Sequence, residues 1–291
     1  MTAPECATAR APSYTAGMDS QDDSIAFIGG GNMATAIVGG LVRAGRAPQA
    51  IVVVEPDAAA RARLAAQHGV RTLAGADAAL GAASVVVWAV KPQVFAAAAA
   101  PCAAQVRGAL QLSVMAGVRS AAIARATGAA AVVRAMPNTP ALIGQGISAL
   151  WASAAVSAAQ RAAAERVLAP TGRTTWVAAE ADLDAVTALS GSGPAYVYYL
   201  VEAMEAAAVG QGLPLAQARE LALATVAGAA ALALQSGEPP ALLRERVTSK
   251  GGTTHAAIAA LDADGVRAAL VRAIDAAHRR AQALGDELGR S

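Results

Sequence analysis

The sequence predicts an α/β fold, a doubly wound parallel sheet followed by an all-helical second half. Three observations carry that expectation. A glycine-rich turn, Gly29-Gly30-Gly31, joins a short apolar run to an amphipathic stretch. Up to about residue 180, short β-rich runs alternate with alanine-rich helical patterns. Beyond that point the β-branched runs stop and long helical patterns take over. Strand–helix alternation implies a parallel sheet with helices on both faces.

The elements follow in order. Residues 1–23 are rich in Ala, Thr, Ser and Pro and lack the basic start and apolar core of a secretory signal; they read as a disordered extension, with Met18 as an alternative start. Strands are expected at Ser24–Ile28, Ile51–Val54, 84–90, 110–115 and 131–136, with helices such as Asn32–Arg43 and Ala58–His68 between them. A further short pair is expected at 147–152 and 174–177, around a helix near Ala158–Leu168. The second half then reads as helices at 194–210, Leu215–Ser236, 254–262 and 266–284. Gly210-Gln211-Gly212-Leu213-Pro214 and Gly237-Glu238-Pro239-Pro240 are its stop-and-restart signals. The expected divisions are a tail at 1–23, an α/β domain at 24–180 and an all-helical domain at 181–291.

Composition excludes several classes. The chain is 55% hydrophobic and only 3% aromatic, because alanine dominates, and alanine favours close-packed helices. A net charge of +2, with no basic stripe interleaved with aromatics, argues against nucleic acid or an anionic membrane as the main partner. Mean hydropathy is positive. Even so, the apolar run 221–234 is shorter than the ~20 residues of a membrane span. It contains Thr225 and Gly228 and suits a buried helix or a subunit interface. Cys6 and Cys102 form no disulfide framework, and His68, His255 and His278 are scattered, so no metal is expected. The expected compartment is cytoplasmic.

Two loops carry the chemistry. Phe27 and Ile28 run into Gly29, Gly30, Gly31, Asn32, Met33 and Ala34, the G-x-G-x-x-A pattern between a strand and a helix. Gly29 permits the tight turn, Gly31 lets a pyrophosphate approach the backbone, and Ala34 lets the helix pack on the sheet. The anion then sits on the positive end of the helix dipole. Glu55 ends the second strand, where an acid binds the adenosine ribose of NADH; it reads equally as a solvated residue opening the Pro56 turn. Arg61 and Arg63 lie near enough in sequence to leave the choice between NADH and NADPH open. Ala89, Val90, Lys91 and Pro92 close another strand and should face the same cofactor. Lys91 is either a cofactor or proton-transfer group or a plain strand-end lysine.

The second loop is Val247-Thr248-Ser249-Lys250-Gly251-Gly252-Thr253-Thr254, directly before a helical pattern. Free N–H groups at a helix start, with hydroxyls beside them, make a small anion site. Its bland reading is a tight turn with Thr253 or Thr254 as N-cap. Arg134-Ala135-Met136-Pro137-Asn138-Thr139-Pro140 reads first as a rigid strand exit, and Ser190-Gly191-Ser192-Gly193-Pro194 as a helix start with Pro194 at its first position.

These segments, together with 184–196 and Ala256-Ala257-Ile258, resemble pyrroline-5-carboxylate reductases from about residue 24 to 284. The resemblance implies a Rossmann-type domain and a helical domain that interleaves with a second subunit, in a homodimer that can assemble further, commonly into decamers. It implies reduction of 1-pyrroline-5-carboxylate to L-proline with NADPH or NADH, the last step of proline biosynthesis. Carried over by position, Ser249, Gly252, Thr253 and Thr254 hold the substrate, the Val247 carbonyl lies beside its ring nitrogen, and Glu180 is the substrate-side acid. Phe27 to Met33, Glu55 and Ala89 to Pro92 fall on the cofactor. Thr254 is the catalytic candidate, through its hydroxyl at the ring nitrogen; Ser249 reads equally as a loop-stabilising hydroxyl. Two departures stand out: the family often has an acid near Ala206, and many members prefer NADPH where this chain has Glu55.

Two other readings remain. A β-hydroxyacid-type dehydrogenase of similar architecture needs a catalytic lysine on a helix, and Lys91 and Lys250, the only lysines, read as loop residues. A non-catalytic dinucleotide-binding protein has no need of an intact second loop.

Overall fold

The structure, a computed structural model, describes residues 24–290; the tail with Cys6 and Met18 lies outside them. One eight-stranded sheet forms the first half: β1 Ser24–Ile28, β2 Ile51–Val54, β3 Arg71–Leu73, β4 Ala83–Trp88, β5 Leu110–Ser113, β6 Val132–Met136, β7 Gly146–Ala152 and β8 Gly172–Trp176. Their order is β3-β2-β1-β4-β5-β6-β7-β8. All neighbours are parallel except β6 and β7. The chain reverses its winding between β1 and β4, which opens a crevice at the carboxyl ends of those strands.

Alternation along β1 divides the core. Ile25 and Phe27 face one layer, with Ala34, Ile37, Val38 and Leu41 of α1 (Asn32–Arg43), Leu64 of α2 (Ala58–His68) and Val167 and Leu168 of α6 (Ala158–Leu168). Ala26 and Ile28 face the other, with Phe95 and Ala99 of α3 (Phe95–Ala99), Val106 of α4 (Ala103–Val106) and Ile123 of α5 (Ser120–Thr127). Trp88 is fully buried there, edge-on to Phe95, and its indole N–H donates to Gln111 Oε1 at 2.8 Å. A buried indole needs such an acceptor.

Sequence periodicity misses β3, whose three residues are too few to show a period. It also carries β4 and β5 two residues too far. Ala89 N–H still bonds to the Ile28 carbonyl at 2.9 Å, but Pro92 then opens a 3₁₀ turn and the chain leaves the sheet. β8 starts at Gly172, two residues earlier than expected.

The second half is helical: α7 Asp182–Val186, a π-helical turn Thr187–Gly191, α8 Gly193–Gly210, α9 Leu215–Ser236, α10 Pro240–Arg246, α11 Thr253–Ala263 and α12 Val266–Arg290. Gly193, rather than Pro194, takes the first position of α8. α12 continues past residue 284 because its end returns to the sheet layer, where Leu288 packs on the second core cluster. α9 buries only Ala218 and Ala222 and leaves Leu221, Leu223, Leu232 and Leu234 exposed. Such a helix in a single chain has an uncovered apolar face. Among the described residues, no single helix is long and apolar enough to cross a membrane.

Candidate active site

The nucleotide loop is assembled from three strand ends. Gly29 N–H donates to the Val54 carbonyl at 2.8 Å, and Gly29 has φ +100°. A Cβ there would lie 2.7 Å from the Ala89 carbonyl oxygen, so the turn presses on the exit of β4. Gly30 is wedged between Leu64 and the stem of Glu55. Gly31, the N-cap of α1, has nothing within 4 Å of a notional Cβ and no side-chain cap. Open space at an uncapped helix N-terminus fits a dinucleotide pyrophosphate.

The other residues expected at the cofactor lie in or just after β1, β2 and β4. Phe27 and Ile28 are buried in β1, Met33 is half-buried, Asn32 is exposed, and Ala89 to Pro92 form the turn after β4 with Lys91 exposed. Glu55 Oε2 accepts the Gly30 N–H at 2.8 Å, and Oε1 accepts the Asp57 N–H at 2.9 Å. The Arg61 guanidinium donates to the Glu55 and Pro56 carbonyls at 2.8 and 2.7 Å.

The second loop follows α10. Val247 is the C-terminal cap of α10 and is exposed; Ser249 and Lys250 follow in the turn. Gly251 has φ +78°, and Gly252 is the N-cap of α11 with no side-chain capping bond. Neither threonine is therefore the N-cap. The first intrahelical bond runs from Ala256 N–H to the Gly252 carbonyl at 3.1 Å, which leaves the N–H groups of Thr253, Thr254 and His255 pointing outward. Gly252 N–H is already used inside the loop, donating to the Ser249 carbonyl at 3.0 Å. The Thr253 and Thr254 amides are thus left open to a small anion, whereas the Gly252 amide is engaged within the loop. α11 buries no residue in the single chain and packs chiefly on α12.

Glu180 lies elsewhere. Its Oε1 accepts from Ser120 N–H at 2.6 Å and from Arg134 at 2.9 Å, and its Oε2 accepts from the Ser120 hydroxyl at 2.7 Å. Beside it, Arg119 makes a two-pronged pair with buried Asp184 at 2.7 and 3.2 Å. Burial works against the Glu180 charge, but the Ser120 bonds and Arg134 outweigh it and hold the carboxyl below its usual range. At Arg134 burial wins and lowers the pKa despite Glu180. The disagreement reflects depth: Arg134 is 4% exposed and Glu180 is 23% exposed. A guanidinium stays charged in either case. Through these bonds Glu180 ties α5 and β6 to the segment entering α7.

Next in the chain, the π-helical turn brings Gly191 onto Met136 at the end of β6, where a Cβ would lie 2.6 Å from Met136 Cε. The Tyr196 hydroxyl donates to the Ala188 carbonyl at 3.0 Å and braces the turn. π-Helical turns are frequent at functional sites. This one sets the start of α8 beside the exit of β6.

Known proteins match both halves. Residues 180–284 match the family model described as pyrroline-5-carboxylate reductase dimerisation, and residues 24–117 match one described as NADP oxidoreductase, coenzyme F420-dependent. The pyrroline-5-carboxylate reductase of Pseudomonas aeruginosa is 43% identical over 267 residues, 91% of this chain and 98% of that protein. That of Synechocystis is 41% identical, over 90% and 98%.

The chain belongs to the pyrroline-5-carboxylate reductase family.

The solved structure of a pyrroline-5-carboxylate reductase from Coxiella burnetii superposes with a TM-score of 0.84 at 37% identity, covering 90% of this chain and 98% of that one. Sequence reading of this family member missed Arg119 and Ser120, quoted Asp184 only within the 184–196 segment, and quoted Arg134 only as part of a strand exit. Arg134 carried a signal, an arginine inside an otherwise apolar strand. Ser120 and Arg119 carried none, because their partners lie 60 and 65 residues away.

Proposed function

We infer that the chain reduces 1-pyrroline-5-carboxylate to L-proline with NAD(P)H, the last step of proline biosynthesis. The observation that carries the reading is the pairing of two uncapped helix starts, one open at Gly31 for a pyrophosphate and one at Thr253 for a small carboxylate, in a chain aligned with its relatives over nine-tenths of its length. The proposed division places the nucleotide domain at 24–180 and the helical substrate and dimerisation domain at 181–291.

NAD(P)H, when bound, supplies the hydride. In the proposed arrangement the Thr253 and Thr254 amides hold the substrate carboxylate, and the Thr254 hydroxyl bonds the ring nitrogen, with the Val247 carbonyl beside it. Hydride adds to the ring carbon of C=N, and the π-bond electron pair passes to nitrogen. A protonated imine then becomes a secondary amine with no strong general acid required. The chain contributes orientation and oriented dipoles, which act without reorganisation during the reaction. Ser249 shapes the loop: a Gly252 Cβ would lie 2.8 Å from its hydroxyl oxygen.

The assembly proposed is a homodimer through α8 and α9, with each second loop facing a nucleotide domain of its partner, and with a decamer as the higher assembly, in the cytoplasm. The exposed leucines of α9 and Tyr198 and Tyr199 of α8 support a large apolar contact. The β-hydroxyacid dehydrogenase reading loses its catalytic lysine, since Lys91 and Lys250 both sit in exposed turns.

The test is loss of reduced-nicotinamide absorbance with pyrroline-5-carboxylate, run with NADH and with NADPH. Turnover is expected. Its absence with both, where cofactor binding is demonstrated, overturns the assignment.

A further inference from the structure

We propose that Glu55 makes this chain prefer NADH over NADPH, an inference that rests on the nicotinamide-dependent reading above. In a doubly wound nucleotide domain, the group that ends the second strand faces the adenosine ribose. Glu55 holds that position, one residue past β2, and its carboxylate is not free to swing aside. Gly30 N–H of the nucleotide loop fixes one oxygen at 2.8 Å, and Asp57 N–H fixes the other at 2.9 Å. Bonds from main-chain N–H groups to a charged acceptor are strong and have fixed direction. The stem is held as well, because its Cβ and Cγ lie against Gly30, at 3.2 and 3.1 Å from a notional Cβ there.

Each carboxylate oxygen retains a further lone pair, and Glu55 is only half-buried. The ribose of NADH offers two hydroxyl donors to those lone pairs. The 2′-phosphate of NADPH offers acceptor oxygens and added negative charge, so it gains no bond and is repelled by the same carboxylate. Of the two opposing arginines of α2, Arg63 is exposed, and the one held at the turn is Arg61. Its guanidinium is bonded to the Glu55 and Pro56 carbonyls, which ties it to the turn, whereas Glu55 is bonded directly to the loop that receives the cofactor. The carboxylate therefore decides the sign of the preference, and Arg61 reduces its size.

Equilibrium titration of the full chain with NADH and NADPH, without substrate, tests the proposal. The wild type should bind NADH at least about tenfold more tightly, a difference of about 1.4 kcal/mol. Glu55→Gln removes the charge and should bring the two Kd values within about threefold. Arg61→Ala should leave NADH the tighter ligand. NADPH binding as tightly as NADH to the wild type overturns the proposal, as does a Glu55→Gln ratio equal to the wild-type ratio. Failure to bind either cofactor overturns it together with the nucleotide-site reading. An NADH preference in a chain that does not turn over pyrroline-5-carboxylate supports the proposal and sinks only the substrate assignment.

Discussion

The two glycine loops have much in common locally but differ in what surrounds them. Each places a glycine at positive φ just before an uncapped helix: Gly29 at +100° before α1, and Gly251 at +78° before α11. Around Gly29 the chain closes on itself, with the Ala89 carbonyl 2.7 Å from a notional Cβ. Around Gly251 nothing lies within 4 Å. The first loop is shaped by its own sheet. The second stands on helices whose apolar faces are exposed in the single chain, the faces proposed above to meet a second copy.

The largest expected effect tests that dependence. Charges placed on α9 by Leu223→Glu with Leu234→Glu should give a monomer by light scattering and reduce turnover to background, while cofactor binding survives at the self-contained loop. Next comes the glycine pair. Gly29→Ala combines left-handed strain of about 1–3 kcal/mol with backbone overlap, and several kcal/mol of stability should be lost. Gly251→Ala carries only the strain, about 1–2 kcal/mol. Thermal unfolding should therefore separate the two; equal shifts would show that the second loop is as tightly enclosed as the first. Gly31→Ala sharpens the contrast from the other side. Its methyl enters open space, so Tm should hold while the Kd for either cofactor rises by about tenfold or more through lost pyrophosphate approach.

Thr254→Ala should lower kcat/KM by about 10–100-fold, the worth of one hydrogen bond to a developing charge. Unchanged kinetics would remove the proposed role at the ring nitrogen. The smallest effect concerns the ion network between the halves. The Glu180 carboxyl is held below its usual range in the folded state, so its stabilisation is present above the unfolded pKa and is lost as pH falls through the lowered folded value. The wild type should lose stability as pH drops below about 4.3, the ordinary glutamate value. Glu180→Gln should be less stable at neutral pH and should show a flatter acid limb in denaturant titrations. An identical acid limb in the variant would show that other carboxylates carry the effect.

Legibility followed the range of the forces. β1, α1, β2 and α2 were read with correct ends because each is declared by neighbours in sequence: an apolar run, a glycine turn, an amphipathic repeat. The same holds for α6 and α9. The end of β4 was misplaced because Val90 is apolar enough to continue a strand, and only the turn at Pro92 takes it away. The uncapped start of α11 was half-legible. The glycines predicted a helix start, but sequence could not show that the Gly252 amide is spent on Ser249.

By itself, then, the sequence determined the alternating sheet, the helical second half, the family and the two loops, because periodicity, glycine placement and motif spacing are local properties. Tertiary structure alone decided which partners Glu180 takes. Its partners Ser120 and Arg134 come from 60 and 46 residues away and meet it only because β6 and the start of α5 converge there. Structure also decided the setting of Glu55. An acid after a strand is compatible with a solvated turn until Gly30, 25 residues earlier, is seen donating to it. A side chain's chemistry is written in the sequence, but its partners depend on which distant segments the sheet brings together.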